Sequence, residues 1–259
     1  FKLGTIRVQF GHTYKRNQSF RLYQNYYITI NNVNRLKAPG NRTPLITMKY
    51  KVTFLLDKSN LWFEKQLRNY DFKLKKKYVF KISKNLKTIK NQNIVFPLSY
   101  TKVLPESFLK KNELVLIVHP SKLPKDKGFA PLQRQILRNK NKIFVSLIKA
   151  VKKVDAGPIY LQNSFMLNGT ELYDEIRYIQ GSIYLKVIKK ILIKYPNIKS
   201  KTQKGKSNFN KRLHPKDAKL DINKSIKKQF NHLRINDNKH FPSFFKFRGK
   251  KYILKIYKE

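Results

Sequence analysis

Between Lys49 and Tyr195 the chain alternates between two hydrophobic periods, and no other feature constrains its fold as much. Short apolar runs predict strands at KYKVTFLLD (49–57), KYVFKIS (77–83), NIVFPLS (93–99), ELVLIVH (113–119), KIFVSLIKA (142–150) and PIYLQNSF (158–165). Segments with helical spacing lie between them. LWFEKQLRNY (61–70) and APLQRQILRN (130–139) predict short helices, and PESFLKK (105–111) opens with a proline followed by an acid in its first turn. The run NGTELYDEIRYIQGSIYLKVIKKILIKY (168–195) predicts one long amphipathic helix, capped by Asn168 with Glu171 completing a capping box. Strands and helices alternating at this spacing predict an α/β fold, Rossmann-like, with a mostly parallel sheet.

The character of the chain changes on both sides of this region. Residues 1–47 end in the turn-rich KAPGNRTP (37–44), and Met48 directly precedes the first predicted strand, so a boundary is expected near 47. After about 196 the chain is polar and lysine-rich, PNIKSKTQKGKSNFNKR (196–212). A helix is expected over 221–235, with Asp221 at its start, and a hairpin over 243–257 turning at Arg248–Gly249. The organisation read from this is an extension 1–47, a main domain 48–200, and a small helix-hairpin extension 201–259, with no internal repeat.

Composition removes several classes of function. With no cysteine there is neither a disulfide nor a thiolate metal site, and the five histidines (11, 119, 214, 232, 240) show no paired ligand spacing, so no metal is expected. No apolar run reaches the ~18 residues of a membrane span, and the N-terminus shows no signal pattern, so the expectation is a cytoplasmic protein with no membrane partner. Lys and Arg number 58 against 14 Asp and Glu, a net charge of +44. Such a surface attracts polyanions, nucleic acid included. The basic residues nonetheless run through every predicted element, as in KVIKKILIKY (186–195), and do not gather in one patch. A chain rich in Lys, Asn, Ile, Tyr and Phe also reads as the product of AT-rich codons, and mutational drift is the preferred source of the charge.

One histidine and one aspartate carry the candidate chemistry. His119 closes the strand 113–119, and Pro120, Ser121 and Pro124 prevent that strand from continuing. Asp155 sits in a turn between strands beside Gly157, which permits close backbone approach. Ligands of open α/β sheets bind outside the carboxyl ends of strands, so both groups are expected on one rim, where a histidine oriented by a carboxylate can transfer protons or stabilise an oxyanion. The competing reading is a surface histidine and a turn aspartate that never meet.

HPSKLPKDKGFAPLQRQIL followed by VSLIKAVKKVDAGPIYLQ resembles the signature of the formyltransferases that use 10-formyltetrahydrofolate. The matching positions are His119, Ser121, Leu123, Pro124, Gly128 and Pro131, then Asp155, Ala156 and Gly157. PLSYTKVLPESFL (97–109) resembles the family's tyrosine-containing stretch that lines the folate pocket, and the match runs from about 49 to 259. The resemblance implies transfer of a formyl group from 10-formyltetrahydrofolate, as cosubstrate, to a primary amine, with His119 and Asp155 catalytic. It implies folate contacts at Tyr100, Val103, Leu104, Pro124, Gly128 and Gly157. Ser121, Lys125, Arg212 and His214 are the candidates for binding the acceptor, with loop solvation the competing role for the last two. Trp62 reads either as core or as a platform for a ring.

Two departures qualify the match. The family places an asparagine, an oxyanion donor, two residues before the histidine, whereas this chain has Ile117 there and its nearest asparagine, Asn112, seven residues upstream. Another donor, such as Ser121 or a backbone N–H, would then serve, or activity would be weak or lost. The stretch between VTFLLD (52–57) and PLSYTK (97–102) is also shorter than the family's.

The amine acceptor is read as a nucleotide-linked amino sugar. Methionyl-tRNA formyltransferases carry a further C-terminal barrel, for which no sequence is expected after the hairpin. YYITINNVNRLKAPGNRTPLI (26–46) resembles the tail of the small antifreeze-like (SAF) domain of sialic-acid-type synthases, which points to amino-sugar chemistry. A tRNA acceptor is the alternative, and a noncatalytic basic binding protein with a formyltransferase-like fold the second. The implied partners are folate and the amine, with a homodimer left open.

Overall fold

Strands buried on both faces need no alternation, and the three most continuous apolar runs form the middle of the sheet. The computed structural model describes residues 49–58 and 61–259; the extension 1–47 and its resemblance to the antifreeze-like domain lie outside the described residues. The elements run β1 (Tyr50–Leu56), α1 (Glu64–Arg68), β2 (Tyr78–Ser83), β3 (Ile94–Leu98), α2 (Glu106–Lys110), β4 (Leu114–His119), β5 (Lys127–Gly128), α3 (Pro131–Leu137), β6 (Lys142–Lys149), β7 (Ile159–Met166), α4 (Tyr173–Lys194), β8 (Phe209–Asn210), α5 (Ile226–Arg234), β9 (Ser243–Phe247) and β10 (Lys250–Leu254). The central sheet has the order β2-β1-β3-β4-β6-β7. β2, β1, β3 and β4 are parallel, joined by crossovers through α1 and α2. β6 alone runs against the rest, antiparallel to both β4 and β7. The connection 120–141 holds the two-residue β5 and, as its one helix, the seven-residue α3, and it returns to the sheet at the end where β4 left it. A parallel return requires a full crossover. The sheet is the mostly parallel α/β arrangement expected.

The core sits between the sheet and α4. Val52, Ile94, Phe96, Leu116, Ile143 and Leu147 are at most 1% exposed. α4 turns Ile176, Tyr184, Ile188, Ile191 and Leu192 into the same cluster at helical spacing. Each fully buried aliphatic side chain of this kind contributes about 1.5–3 kcal/mol. Gly181 is required where α4 meets α1: a Cβ there would lie 2.0 Å from Gln66 Oε1 and 2.9 Å from the Phe63 ring.

Two helix starts differ from the sequence expectation for one physical reason. α4 begins at Tyr173, five residues after Asn168, because Gly169 adopts φ +96°. Glu171 does reach back to the Asn168 and Gly169 N–H groups, but it closes a turn there, and the helix is headed by Leu172, whose N–H donates to Glu175 Oε2 at 2.9 Å. α5 begins at Ile226 under Ser225, which accepts from the Lys228 N–H, while Asp221 instead accepts from the Asn223 N–H in a preceding turn. Short acidic and amide side chains satisfy turns as readily as helix ends. The hairpin β9–β10 turns at Arg248 (φ +46°) and Gly249 (φ +74°), both left-handed as a two-residue type I′ turn demands.

Candidate active site

β3 and β4 pair only at Ile94–Leu114 and Val95–Val115, and the remainder of β4 pairs with β6. Beyond those two pairs the strands part, and a cavity of about 450 Å³ opens beside Pro97, Ile117, Val118 and His119. β4 ends at His119 because Pro120 cannot extend a ladder. His119 is 5% exposed.

Asp155 reaches the histidine by a longer route than one shared rim. β6 ends level with Leu116, and Ala150 N–H donates to the Val115 carbonyl, so the 150–158 loop leaves the sheet well before the His119 end of β4. The loop then folds back. Asp155 is in the left-handed region at φ +51°, and Gly157 passes so close to β6 that a Cβ would lie 1.8 Å from the Lys149 carbonyl oxygen. Gln203 Nε2 donates to the Asp155 and Gly157 carbonyls, both at 2.8 Å. The aspartate is thereby fixed: Oδ2 accepts the Gly128 N–H at 2.8 Å, and Oδ1 lies 3.5 Å from His119 Nδ1, with both side chains under one-tenth exposed.

The other ring nitrogen of His119 is held by a residue that sequence reading missed. Nε2 lies 2.8 Å from the Asp126 carbonyl oxygen. A carbonyl only accepts, so Nε2 carries a hydrogen. The contact between Nδ1 and Asp155 is then attractive when Nδ1 is protonated as well. Asp126 is buried in the 120–130 loop and stands at φ +60°. Its carboxylate accepts from Arg138 at 2.6 Å, Asn208 at 3.2 Å and Asn210 at 3.3 Å. Burial pushes the Asp126 carboxyl up, but the bonds from Asn208, Arg138 and Asn210 together outweigh it and hold the group below the ordinary aspartate value. β8 pairs with β5, and the strand period of two places Asn208 and Asn210 on one side of it. The only sequence signal for this network is that spacing in SNFN (207–210).

Of the residues expected at the site, Tyr100, Val103, Leu104, Gly128 and Arg212 line the cavity together with His119 and Asp155. The loop carrying Tyr100 is tied to the end of β1, since Asp57 accepts the Thr101 N–H at 3.1 Å. Burial first, and the Asp57 charge second, push the Tyr100 phenol up. Arg212 places its guanidinium 5.6 Å from the Phe129 ring centre. Other expected residues sit elsewhere. Ser121 is fully buried, and its hydroxyl donates inward to the Lys125 carbonyl at 2.7 Å, so it is not an oxyanion donor. Lys125 is exposed and, like Pro124, Gly157 and His214, lies outside the cavity wall. Gly157 acts through the loop path, and His214 heads a short 3₁₀ turn, with its N–H on Asp217. Asn112 binds the Gln92 N–H and the Phe108 carbonyl at the opposite end of β4. Ile117 faces the cavity and packs against Leu123, Ile148 and Ile159, so that position offers no donor.

A second end of the same cavity is built from α4 and Trp62, which precedes α1. Trp62, Arg177, Gln180 and Tyr184 line it. The Arg177 guanidinium lies between two rings, 5.0 Å from the Trp62 centre and 5.1 Å from that of Tyr173. Its Nη1 donates to Gln180 Oε1 at 3.0 Å, and Gln180 Nε2 donates to the Tyr184 hydroxyl at 2.7 Å. Trp62 Nε1 and Arg177 Nε are buried and meet no acceptor among the described residues, an arrangement that costs about 1–3 kcal/mol per donor. Arg177 and Gln180 were invisible as site residues in sequence because they fall within an amphipathic helix pattern. Among the described residues no group of three or more His, Asp or Glu side chains is placed to hold a metal, and no helix is long and apolar enough to cross a membrane.

The family model described as formyl transferase matches residues 35–188. The methionyl-tRNA formyltransferase of Sulfurihydrogenibium sp. (strain YO3AOP1) is 32% identical over 157 residues, covering 58% of this chain and 50% of that protein. The chain thus spans about half the length of the curated relatives it matches. Among solved structures, a methionyl-tRNA formyltransferase from Clostridium thermocellum superposes with a TM-score of 0.69 at 19% identity, covering 80% of this chain and 92% of the other. A sugar N-formyltransferase from Shewanella sp. FDAARGOS_354 gives 0.62 at 16% identity, covering 81% and 98%.

Proposed function

We propose that this chain, which belongs to the formyl transferase family, moves a formyl group from 10-formyltetrahydrofolate to the primary amine of a nucleotide-linked amino sugar. The observation that carries the reading is the buried contact between His119 and Asp155 at the wall of the cavity. In the reaction the neutral amine attacks the formyl carbon and the carbonyl oxygen takes up negative charge. The bond to the folate nitrogen then breaks, and the proton lost by the amine ends on that nitrogen. His119, positively charged when Nδ1 beside Asp155 carries a hydrogen as Nε2 does beside the Asp126 carbonyl, sets that charge near the oxyanion, while Asp155 orients the ring and accepts the proton. Water exclusion by the surrounding aliphatics strengthens both interactions. Tyr100, Val103, Leu104 and Gly128 would border the folate, and Arg212 the acceptor. In this proposal residues 48–200 form the catalytic domain, 201–259 form an extension that contributes Phe209 and Arg212 to the cavity wall, and 1–47 form a separate segment.

The sugar acceptor rests on the resemblance of 26–46 to the antifreeze-like domain of sialic-acid-type synthases; at the level of fold a solved sugar N-formyltransferase and a solved methionyl-tRNA formyltransferase both match. A tRNA acceptor is favoured instead by the names of the sequence relatives. A noncatalytic binding role is favoured by Ile117 and by the Asp126 carbonyl, which already occupies His119 Nε2. Tetrahydrofolate release from 10-formyltetrahydrofolate decides between them. Release with an aminated nucleotide sugar supports the proposal, and release with aminoacylated initiator tRNA alone replaces the acceptor. No release with either replaces catalysis by binding.

A further inference from the structure

Formyl transfer needs a hydrogen-bond donor where negative charge develops on the formyl oxygen, and the groups around His119 are already engaged. Ile117 is apolar, Ser121 donates inward, and His119 holds the Asp126 carbonyl with Nε2 and faces Asp155 with Nδ1. In the loop beyond, the Gly128 N–H goes to Asp155 and the Phe129 N–H to the Asn210 carbonyl at 3.1 Å. At the α4 end the Gln180 amide donates to the Tyr184 hydroxyl. Lys102, Lys149, Lys152 and Arg212 also line the wall, but all four are exposed, and water competes for their N–H groups.

Gln133 is uncommitted. It is partly buried, lines the cavity, and forms no hydrogen bond with another described residue. The helix that carries it is fixed. Ala130, at φ +49°, turns the chain into α3 with Pro131 in its first turn, and Leu132, Gln135 and Ile136 take the buried side. Gln135 Nε2 donates to the Pro120 carbonyl at 2.8 Å, and its Oε1 accepts the Phe144 N–H at 3.2 Å, so α3 is pinned beside the residue that follows His119. We propose that Gln133 Nε2 donates to the formyl oxygen as the amine attacks, which makes Gln133 a further catalytic residue. The inference rests on the formyl-transfer reading of this cavity. A carboxamide carries two N–H donors and does not ionise, so it stabilises the oxyanion without entering the proton transfer assigned to Asp155.

Tetrahydrofolate release is measured with 10-formyltetrahydrofolate and an aminated nucleotide sugar, or with aminoacylated initiator tRNA if only that supports turnover. Gln133→Ala is expected to lower kcat about 10²-fold and to leave the KM for 10-formyltetrahydrofolate within about twofold of the parent, as loss of a contact made in the transition state does. Gln133→Glu keeps the shape but sets a carboxylate where the oxyanion forms, and is expected to be slower still. Neither change removes a bond within the chain, so melting temperatures are expected to stay near the parent's. Ile117 faces the same cavity and gives the arm that a structural role cannot mimic. Ile117→Asn is expected to accelerate Gln133→Ala by a larger factor than it accelerates the parent, because only in that background does it supply the missing donor. Equal factors, or an unchanged kcat in either Gln133 variant, overturn the proposal. No release by the parent with either acceptor overturns the transfer reading and this donor with it, whereas release by the parent with an unchanged kcat in Gln133→Ala overturns the donor alone.

Discussion

The two ends of the cavity differ in how far the chain satisfies its own polar groups. At the β4 end the ring nitrogens of His119 and both oxygens of the Asp155 carboxylate have partners within the chain, and Asp126 is bonded by three side chains. At the α4 end Trp62 and Arg177 each keep a buried donor unpaired. The contrast teaches that one end has its polar groups fixed by the chain itself, as chemistry requires, whereas the other leaves two donors without a partner among the described residues. A site that must fix an imidazole to within fractions of an ångström cannot leave its partners to the substrate.

Removing the chemistry at the preassembled end should have the largest effect. His119→Ala is expected to lower the rate of tetrahydrofolate release by about 10²–10⁴-fold, with melting temperature little changed. An unchanged rate would take the imidazole out of the mechanism. Gly157→Ala tests whether preassembly depends on the loop path. The added methyl would meet the Lys149 carbonyl, so the loop must shift and carry Asp155 with it. A loss of about 10²-fold in rate is expected, larger than the accompanying loss of thermal stability would predict.

Ile117→Asn sharpens the comparison in the opposite direction. Placing a donor where the family has asparagine should raise the rate by about tenfold or more, since one oxyanion donor is worth on the order of 10²–10³. The same change is expected to lower the melting temperature, because Ile117 packs against Leu123, Ile148 and Ile159. The smallest effect concerns Asp126. Its folded value lies below the ordinary aspartate value, so its contribution to stability is present above about pH 4 and is lost as pH falls through the folded value. Asp126→Asn should therefore melt at a lower temperature than the parent near neutral pH, with the difference shrinking as the pH is taken below about 4. A difference that stayed constant with pH would show that the carboxylate charge does not hold the loop.

The strands were legible in the sequence because burial on both faces of a parallel sheet produces uninterrupted apolar runs such as Leu114–Val118. The starts of α4 and α5 were not, since Asn168, Glu171 and Asp221 carry cap chemistry but spend it on turns. At the site, the strand-end positions of His119 and Asp155 allow one shared rim but equally a pair that never meets, and the family resemblance is what joins them. Asp126 stayed hidden because its partners Asn208 and Asn210 lie 82 and 84 positions away. Arg177 stayed hidden for a different reason: a helix pattern records which face is apolar and says nothing of an arginine held between two rings.

The polar linker after α4 has the composition of a spacer, yet it braces the site. Gln203 clamps the Asp155 loop, Asn208 and Asn210 bind Asp126, and β8 pairs with β5. A length change between Lys201 and Arg212 would be felt first as altered turnover, ahead of any altered attachment of the C-terminal hairpin. Selection on catalysis would then police a stretch whose amino acids look free to drift.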